Sequence, residues 1–158
     1  LFRLHKFRTM IVQSEVAGPQ WSSGTKDARV TPLGRFLRAT HLDELPQLVN
    51  VIVGEIGFIG PRPERPEFYK KIEAVIPEFS IRTLIRPGIT GWAQVHAGYA
   101  ASIEESKFKL EHDLYYMQNI SVPKDLIIAI KTVLKMIGLG KINLITSVDV
   151  ARSETKAV

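Results

Sequence analysis

Residues 31–54, TPLGRFLRATHLDELPQLVNVIVG, carry two closely spaced helix starts, and their reading decides the fold. Thr31 followed by Pro32 is a hydroxyl N-cap with proline where no backbone N–H is missed. The helix it opens places Leu33, Phe36 and Leu37 on one face, with Arg35 and Arg38 set away from it. A second helix is expected to begin near Asp43, because Pro46 is tolerated only in a first turn. Leu45, Leu48, Val49 and Ile52 give that helix an apolar face, and Gly54 is its expected stop.

Working outward, residues 1–13 mix β-branched and aromatic residues without helical spacing and read as a strand with basic side chains. Residues 14–29 form a polar, Gly/Ser-containing connection, long for a compact domain. Toward the C-terminus, residues 57–66 (GFIGPRPERP) are too rich in glycine and proline for regular structure. Pro66 opens a third helix that ends before Pro77. Arg86-Pro87-Gly88 is a turn signal leading into a strand-like stretch over 89–95. Ser102-Ile-Glu-Glu105 is a capping box for a helix to about Asn119, with Glu105 and Lys109 spaced for an i,i+4 pair. Pro123 starts a last helix that closes at Gly138 or Gly140. The pattern predicts an α+β fold: a mostly helical single domain over 1–140 with a few short strands, then a tail over 141–158.

The bulk numbers agree. A chain of 158 residues, 45% hydrophobic and 23% charged, fits one globular domain and excludes collagen-like, disordered and coiled-coil classes. With no cysteine there are no disulfides, zinc–thiolate sites, iron–sulfur clusters or thiol nucleophiles. No apolar run approaches the roughly 18 residues of a spanning helix. The start is no signal peptide, and the chain begins with Leu1 rather than methionine, so it is expected to be a processed protein or a piece of a longer one. Its net charge of +5 is placed unevenly. Up to Arg38 there are seven basic residues against two acidic ones, and 14 of each sign follow. A positive field confined to the first quarter attracts an anion: a nucleic acid, an anionic membrane surface or a phosphorylated small molecule.

Three groups of residues could carry chemistry. Asp43-Glu44 lies at a helix start, where one acid is enough for capping and two neighbouring carboxylates can divide labour as nucleophile and metal ligand. Arg62, between Pro61 and Pro63, presents its guanidinium from a stiffened loop suited to phosphate, although an ordinary turn would look the same. Lys6, Arg8, Arg35 and Arg38 complete a set able to neutralise a diphosphate, or four solvated charges. Asp113 and Asp125 are later acids, and Asp125 reads most simply as a complement to a helix N-terminus. None of the four histidines has metal-ligand spacing. In the last helix Lys124, Lys131 and Lys135 fall on one stripe. That suits either a buried core helix with one solvated edge or a helix lying at a membrane interface.

Taken in order, KFRTM (6–10), RVTPLGRFLR (29–38), LDELPQL (42–48), GPRPE (60–64), RPGITGWAQV (86–95) and KLEHDLYY (109–116) resemble the bacterial sugar transferase family, the monotopic polyprenyl-phosphate phosphoglycosyl transferases. The resemblance covers residues 2 to 140 or so. It implies transfer of a phospho-sugar from a nucleotide diphosphate sugar, usually a UDP-sugar, to undecaprenyl phosphate. That step begins exopolysaccharide, capsule or O-antigen assembly at the cytoplasmic face of the bacterial inner membrane. By the same resemblance Asp43 is the nucleophile forming a covalent aspartyl-phospho-sugar, and Glu44 helps hold Mg²⁺. Lys6, Arg38, Arg62 and Asp113 fall on polar positions of the family's site and are expected to bind substrate. Members carry a hydrophobic segment before the Lys-Phe-Arg motif; its absence here marks the chain as the expected catalytic portion, with helices on the membrane surface.

Two other readings compete. A non-catalytic membrane-surface assembly module would explain the lysine-striped last helix. A nucleic-acid-binding domain rests on charge alone, has no recognition-helix or aromatic-platform motif behind it, and is not expected.

Overall fold

The computed structural model describes residues 1–16, 18–21, 27–97 and 102–138. Helix α1 (Pro32–Ala39) starts as its sequence dictates, with the Thr31 hydroxyl accepting from the Gly34 amide and proline in the first turn. The second helix starts later than expected. Leu42–Glu44 form a single 3-10 turn, and α2 (Gln47–Ile52) follows with Pro46 at its N-cap. Strand β1 (Gly57–Ile59) occupies the start of the Gly/Pro-rich stretch and so corrects the expectation of no regular structure there. Helix α3 (Pro66–Glu73) is shorter than the sequence suggested, and a 3-10 helix over Pro77–Leu84 that the sequence did not announce follows it. Strand β2 (Gly88–Thr90) begins at the Arg-Pro-Gly turn, but the rest of that strand-like stretch is helical: α4 (Trp92–His96). Helix α5 (Ile103–Gln118) has Ser102 as its cap, accepting from the Glu105 amide. Lys109 reaches across to Glu64 at 2.6 Å. Helix α6 (Val122–Met136) ends before Gly138, whose φ of +79° suits glycine at a helix stop. The tail over 141–158 lies outside the described residues.

β1 and β2 pair in parallel, Gly57 opposite Gly88 and Ile59 opposite Thr90, and α3 with the 3-10 helix makes the crossover that parallel strands require. The chain is therefore α+β, mostly helical, with two short strands among the described residues. Just past the strands the backbones of Gly60, Gly88 and Gly91 touch: a Cβ on Gly88 would strike the Gly60 amide, and one on Gly91 its carbonyl. Only glycines allow that approach, and it holds the loop bearing Arg62 against β2.

Two apolar clusters form the core. Ile72, Phe79 and Leu110 lock α3, the 3-10 helix and α5 together. Trp92, Tyr116 and Ile128 join α4, α5 and α6 beside β1. Residues 1–9 make no strand; Met10 alone bridges to Val30. They run past the 3-10 turn as a strap held by Asn50, which is fully buried. Its side chain accepts from the His5 amide (3.1 Å) and donates to the Arg3 carbonyl (2.7 Å), while the Phe7 amide bonds the Asp43 carbonyl (3.0 Å).

Three helices face the opposite way from an ordinary core helix. In α2 the polar Gln47 (2% exposed) and Asn50 point inward, whereas the preceding Leu45 and the helix's own Leu48, Val49 and Ile52 (83%) are exposed. In α1, Leu33 and Phe36 are exposed. In α6 only Ile128 is buried, which overturns the core-helix reading of its sequence. Its lysines turn toward the protein: Lys124 lies over the Tyr115 ring, 4.0 Å from its centroid, and Lys131 reaches His96 Nε2 at 2.6 Å. Among the described residues no helix is long and apolar enough to cross a membrane.

Candidate active site

The chain leaves α1 and reverses at His41, whose φ of 57° and ψ of 13° put it in the left-handed region. A non-glycine residue held there costs free energy and is concentrated at functional sites. The reversal delivers Asp43 and Glu44 inside the 3-10 turn, both nine-tenths buried. Capping does not explain them. The turn is capped by His41 and α2 by Pro46, so Asp43 occupies neither position.

Glu44 is held by two cations. Arg62 Nη2 meets Oε1 at 2.5 Å, and Lys6 Nζ meets the same oxygen at 2.9 Å. Burial pushes the Glu44 carboxyl up, but Arg62 and then Lys6 outweigh it and hold its pKa at about 2. Glu44 is thus a fixed anion across the physiological range. Asp43 is tuned the other way. Burial and the neighbouring Glu44 charge raise its carboxyl above the ordinary aspartate range, and the pull of Lys6 and Arg38 does not offset them. One carboxylate is firmly ionised; the other is more basic than usual and closer to a useful nucleophile or base. Burial and then Arg62 lower the pKa of Lys6.

Arg38 sends Nε to Thr9 Oγ1 (2.9 Å), so α1 and the strap are tied beside Asp43. Arg8 and Arg35 are exposed and do not join this cluster. Asp113 is placed differently from its neighbours in the expected substrate set: it is 1% exposed, and its close ion-pair partner is not a member of that set. It pairs with Arg82, Oδ2 lying 2.9 Å from Nε and 2.7 Å from Nη2. Arg82 in turn donates to the Arg62 carbonyl at 2.9 Å. Asp113 therefore acts through Arg82 on the loop that presents Arg62. The sequence reading missed Arg82, because an arginine inside the apolar repeat of residues 77–84 carries no signal of its own.

This relay is testable. Replacing Arg82 by Met strands a buried carboxylate and should cost about 3–5 kcal/mol in urea unfolding. The double variant Arg82→Met, Asp113→Leu leaves no stranded charge and should recover most of that loss.

A cavity of about 440 Å³ opens beside the dyad. Glu44 and Arg62 lie on its wall with apolar side chains of α2, β1 and α6, and Lys135 reaches it from the end of α6. Asp43, Lys6 and Arg38 are not among the residues that line it. Two wall residues, His41 and Gln94, bury a ring or amide nitrogen with no hydrogen-bond partner. Such orphans cost about 1–3 kcal/mol each and are typical where function outranks stability. For a metal, Asp43 and Glu44 are the available carboxylates; no group of three or more ligating side chains gathers among the described residues. The pair suits magnesium, which usually takes one or two carboxylates and completes its shell with water and substrate phosphate.

Comparison with known proteins agrees with this geometry. The family model described as "Bacterial sugar transferase" matches residues 1–138. UDP-N-acetylgalactosamine-undecaprenyl-phosphate N-acetylgalactosaminephosphotransferase of Aeromonas hydrophila is 45% identical over 132 residues, 84% of this chain and 31% of its own. UDP-glucose:undecaprenyl-phosphate glucose-1-phosphate transferase of Caulobacter vibrioides is 39% identical over 135 residues, covering 84% and 50%. The uncharacterized sugar transferase EpsL of Bacillus subtilis is 36% identical over 149 residues, covering 92% and 69%. The chain spans a third to a half of the first two relatives' length. With a match that takes in the strap, the dyad, the Arg62 loop and α6 alike, the chain belongs to the bacterial sugar transferase family.

Proposed function

We propose that the chain transfers a phospho-sugar from a UDP-sugar to undecaprenyl phosphate by way of a covalent intermediate on Asp43. The observation that carries this reading is the split carboxylate pair: Glu44 pinned as an anion by Arg62 and Lys6, and Asp43 raised in basicity beside it. The relatives named for that reaction support it. In the first step an Asp43 carboxylate oxygen attacks the phosphorus that bears the sugar, and the bond to UMP breaks with its electron pair leaving on UMP. In the second, a phosphate oxygen of undecaprenyl phosphate attacks the same phosphorus and Asp43 departs as carboxylate. No net proton, oxidant or reductant is needed.

The chain's own residues do the electrostatic work. Attack of an anion on a diphosphate is opposed by like charge, and Arg62, Lys6 and Arg38 surround the dyad with positive charge fixed in place before reaction. Mg²⁺, held with the help of Glu44, would supply further neutralisation of phosphate charge. The outward apolar faces of α1, α2 and α6 support a membrane surface as the working environment, where a lipid acceptor resides. A UDP-sugar donor puts that surface on the cytoplasmic side of the bacterial inner membrane, at the first step of an exopolysaccharide, capsule or O-antigen glycan.

The test is UMP release over a panel of UDP-sugars with undecaprenyl phosphate and Mg²⁺. UMP release that depends on one or a few of the sugars is expected. The same outward faces would also suit a non-catalytic surface module, for which the expected result is liposome co-sedimentation with no UMP released from any donor.

A further inference from the structure

Resting on the phosphoglycosyl reading, we infer that the cavity between α2, β1 and α6 is the acceptor's subsite, with Lys135 and Arg62 gripping its phosphate and the apolar walls taking the isoprene units nearest to it.

Two observations set the phosphate end. Gln94 draws both cations together: Arg62 Nη1 donates to its side-chain oxygen at 3.3 Å, and Lys135 Nζ to its main-chain carbonyl at 2.8 Å. Arg62 is already matched by Glu44. Lys135 has no such match: its recorded partner is a neutral carbonyl, and among the described residues it forms no ion pair. Burial and then Arg62 lower its pKa, so an arriving phosphate relieves a real repulsion. The cavity mouth thus holds an uncompensated positive charge next to a fixed ion pair, which is the complement of a phosphomonoester.

The walls set the other end. Leu48 and Phe58, both exposed, and Ala129 and Met136 of α6 line the cavity. The hydroxyls of Thr90 and Thr132 are spent on each other at 2.7 Å, so they do not read a polar ligand. Apart from the unpartnered nitrogens of His41 and Gln94 and the charged side chains of the lining, these walls are apolar and give a nucleobase or sugar little to bond, whereas an isoprenoid needs no such partner. The apolar wall also continues into the outward face of α2 through Leu45 and Leu48, a path for the rest of the lipid into a membrane surface. Glu44, the chain neighbour of Asp43, lines this subsite, which sets the acceptor phosphate beside the aspartate that carries the phospho-sugar.

The two half-reactions separate this inference from the reading beneath it. With the full-length protein, the donor step is followed as UMP release without acceptor, and the acceptor step as discharge of the preformed adduct by undecaprenyl phosphate. Lys135→Met should raise the acceptor's half-saturation about ten- to a hundredfold. It should weaken that step at least ten times more than the donor step, and Lys135→Arg should restore most of the loss. Ala129→Leu, which narrows the cavity, should penalise a ten-carbon prenyl phosphate as much as undecaprenyl phosphate, because both fill it with the isoprene units nearest the phosphate. If Lys135→Met slows both steps equally, or neither, the subsite assignment is overturned while phosphoglycosyl transfer stands. If the unaltered protein releases no UMP from any UDP-sugar, the underlying reading fails as well.

Discussion

Asp43→Asn should abolish covalent labelling by a UDP-sugar and lower turnover by a factor on the order of 10⁴. The substitution keeps size and overall shape but replaces the anionic oxygen that attacks phosphorus by a neutral, far less nucleophilic amide. It also removes one negative charge from a pair in which Glu44 raises Asp43, so the fold should not suffer: folding stability equal to or above that of the unaltered chain is expected. Loss of activity with stability kept distinguishes a nucleophile from a structural acid. The pH profile carries the same signature. Only the ionised carboxylate attacks, and burial with the Glu44 charge raises the pKa of Asp43. The donor step should therefore decline on acidification from a higher pH than an ordinary aspartate would give.

Arg62→Met should have the next largest effect, cutting turnover about 10²–10³-fold, because it takes a fixed guanidinium from the reacting charges. Here stability should fall too. Glu44 would be left buried with Lys6 as its remaining close partner, and breaking a buried pair costs about 3–5 kcal/mol. The sign of the pH dependence follows from the lowered Glu44 pKa. Its contribution is fully present above the ordinary glutamate range and is lost as pH falls toward about 2. In Arg62→Met that acid-side loss should be smaller and complete at a higher pH, as read from urea midpoints between pH 2 and pH 6 or so. Arg62→Lys should recover only part of both effects, since an ammonium cannot reproduce the contacts made by Nη1 and Nη2 together.

The parts of the fold legible in the sequence are those with local chemistry behind them. Thr31-Pro32, Ser102 with Glu105, and Pro123 each mark a helix start through a cap or a fixed φ, and each helix begins there within a residue or so. The parts that were not legible depend on tertiary contact. β1 exists because Gly57–Ile59 find β2 after a long crossover, which no nearest-neighbour rule anticipates. The inverted α2 is the sharpest case. Its periodicity is readable, but period alone does not say which face turns inward; here Asn50 is inside because it holds the strap, and Gln47 lies three residues away on the same face.

The site divides along the same line. Asp43, Glu44, Lys6, Arg38 and Arg62 were named from sequence, and the structure brings them together around one carboxylate pair. Asp113 was named with them; it lies buried beside Arg82 and meets the Arg62 loop through that arginine. Arg82 and Lys135 were not in that set. Their meaning comes from a carbonyl and a partner many residues away, and charge counts along a chain carry no trace of such contacts.

The central claim is that Asp43 itself carries the phospho-sugar. It is tested most directly by incubating the protein with its UDP-sugar in the absence of lipid acceptor, quenching in acid, and locating the adduct by peptide mass spectrometry. The account predicts a mass increase of one sugar phosphate on Asp43, formed in step with UMP and discharged when undecaprenyl phosphate is added. An adduct on any other residue, or UMP that appears only with acceptor present and with no adduct at all, would contradict it.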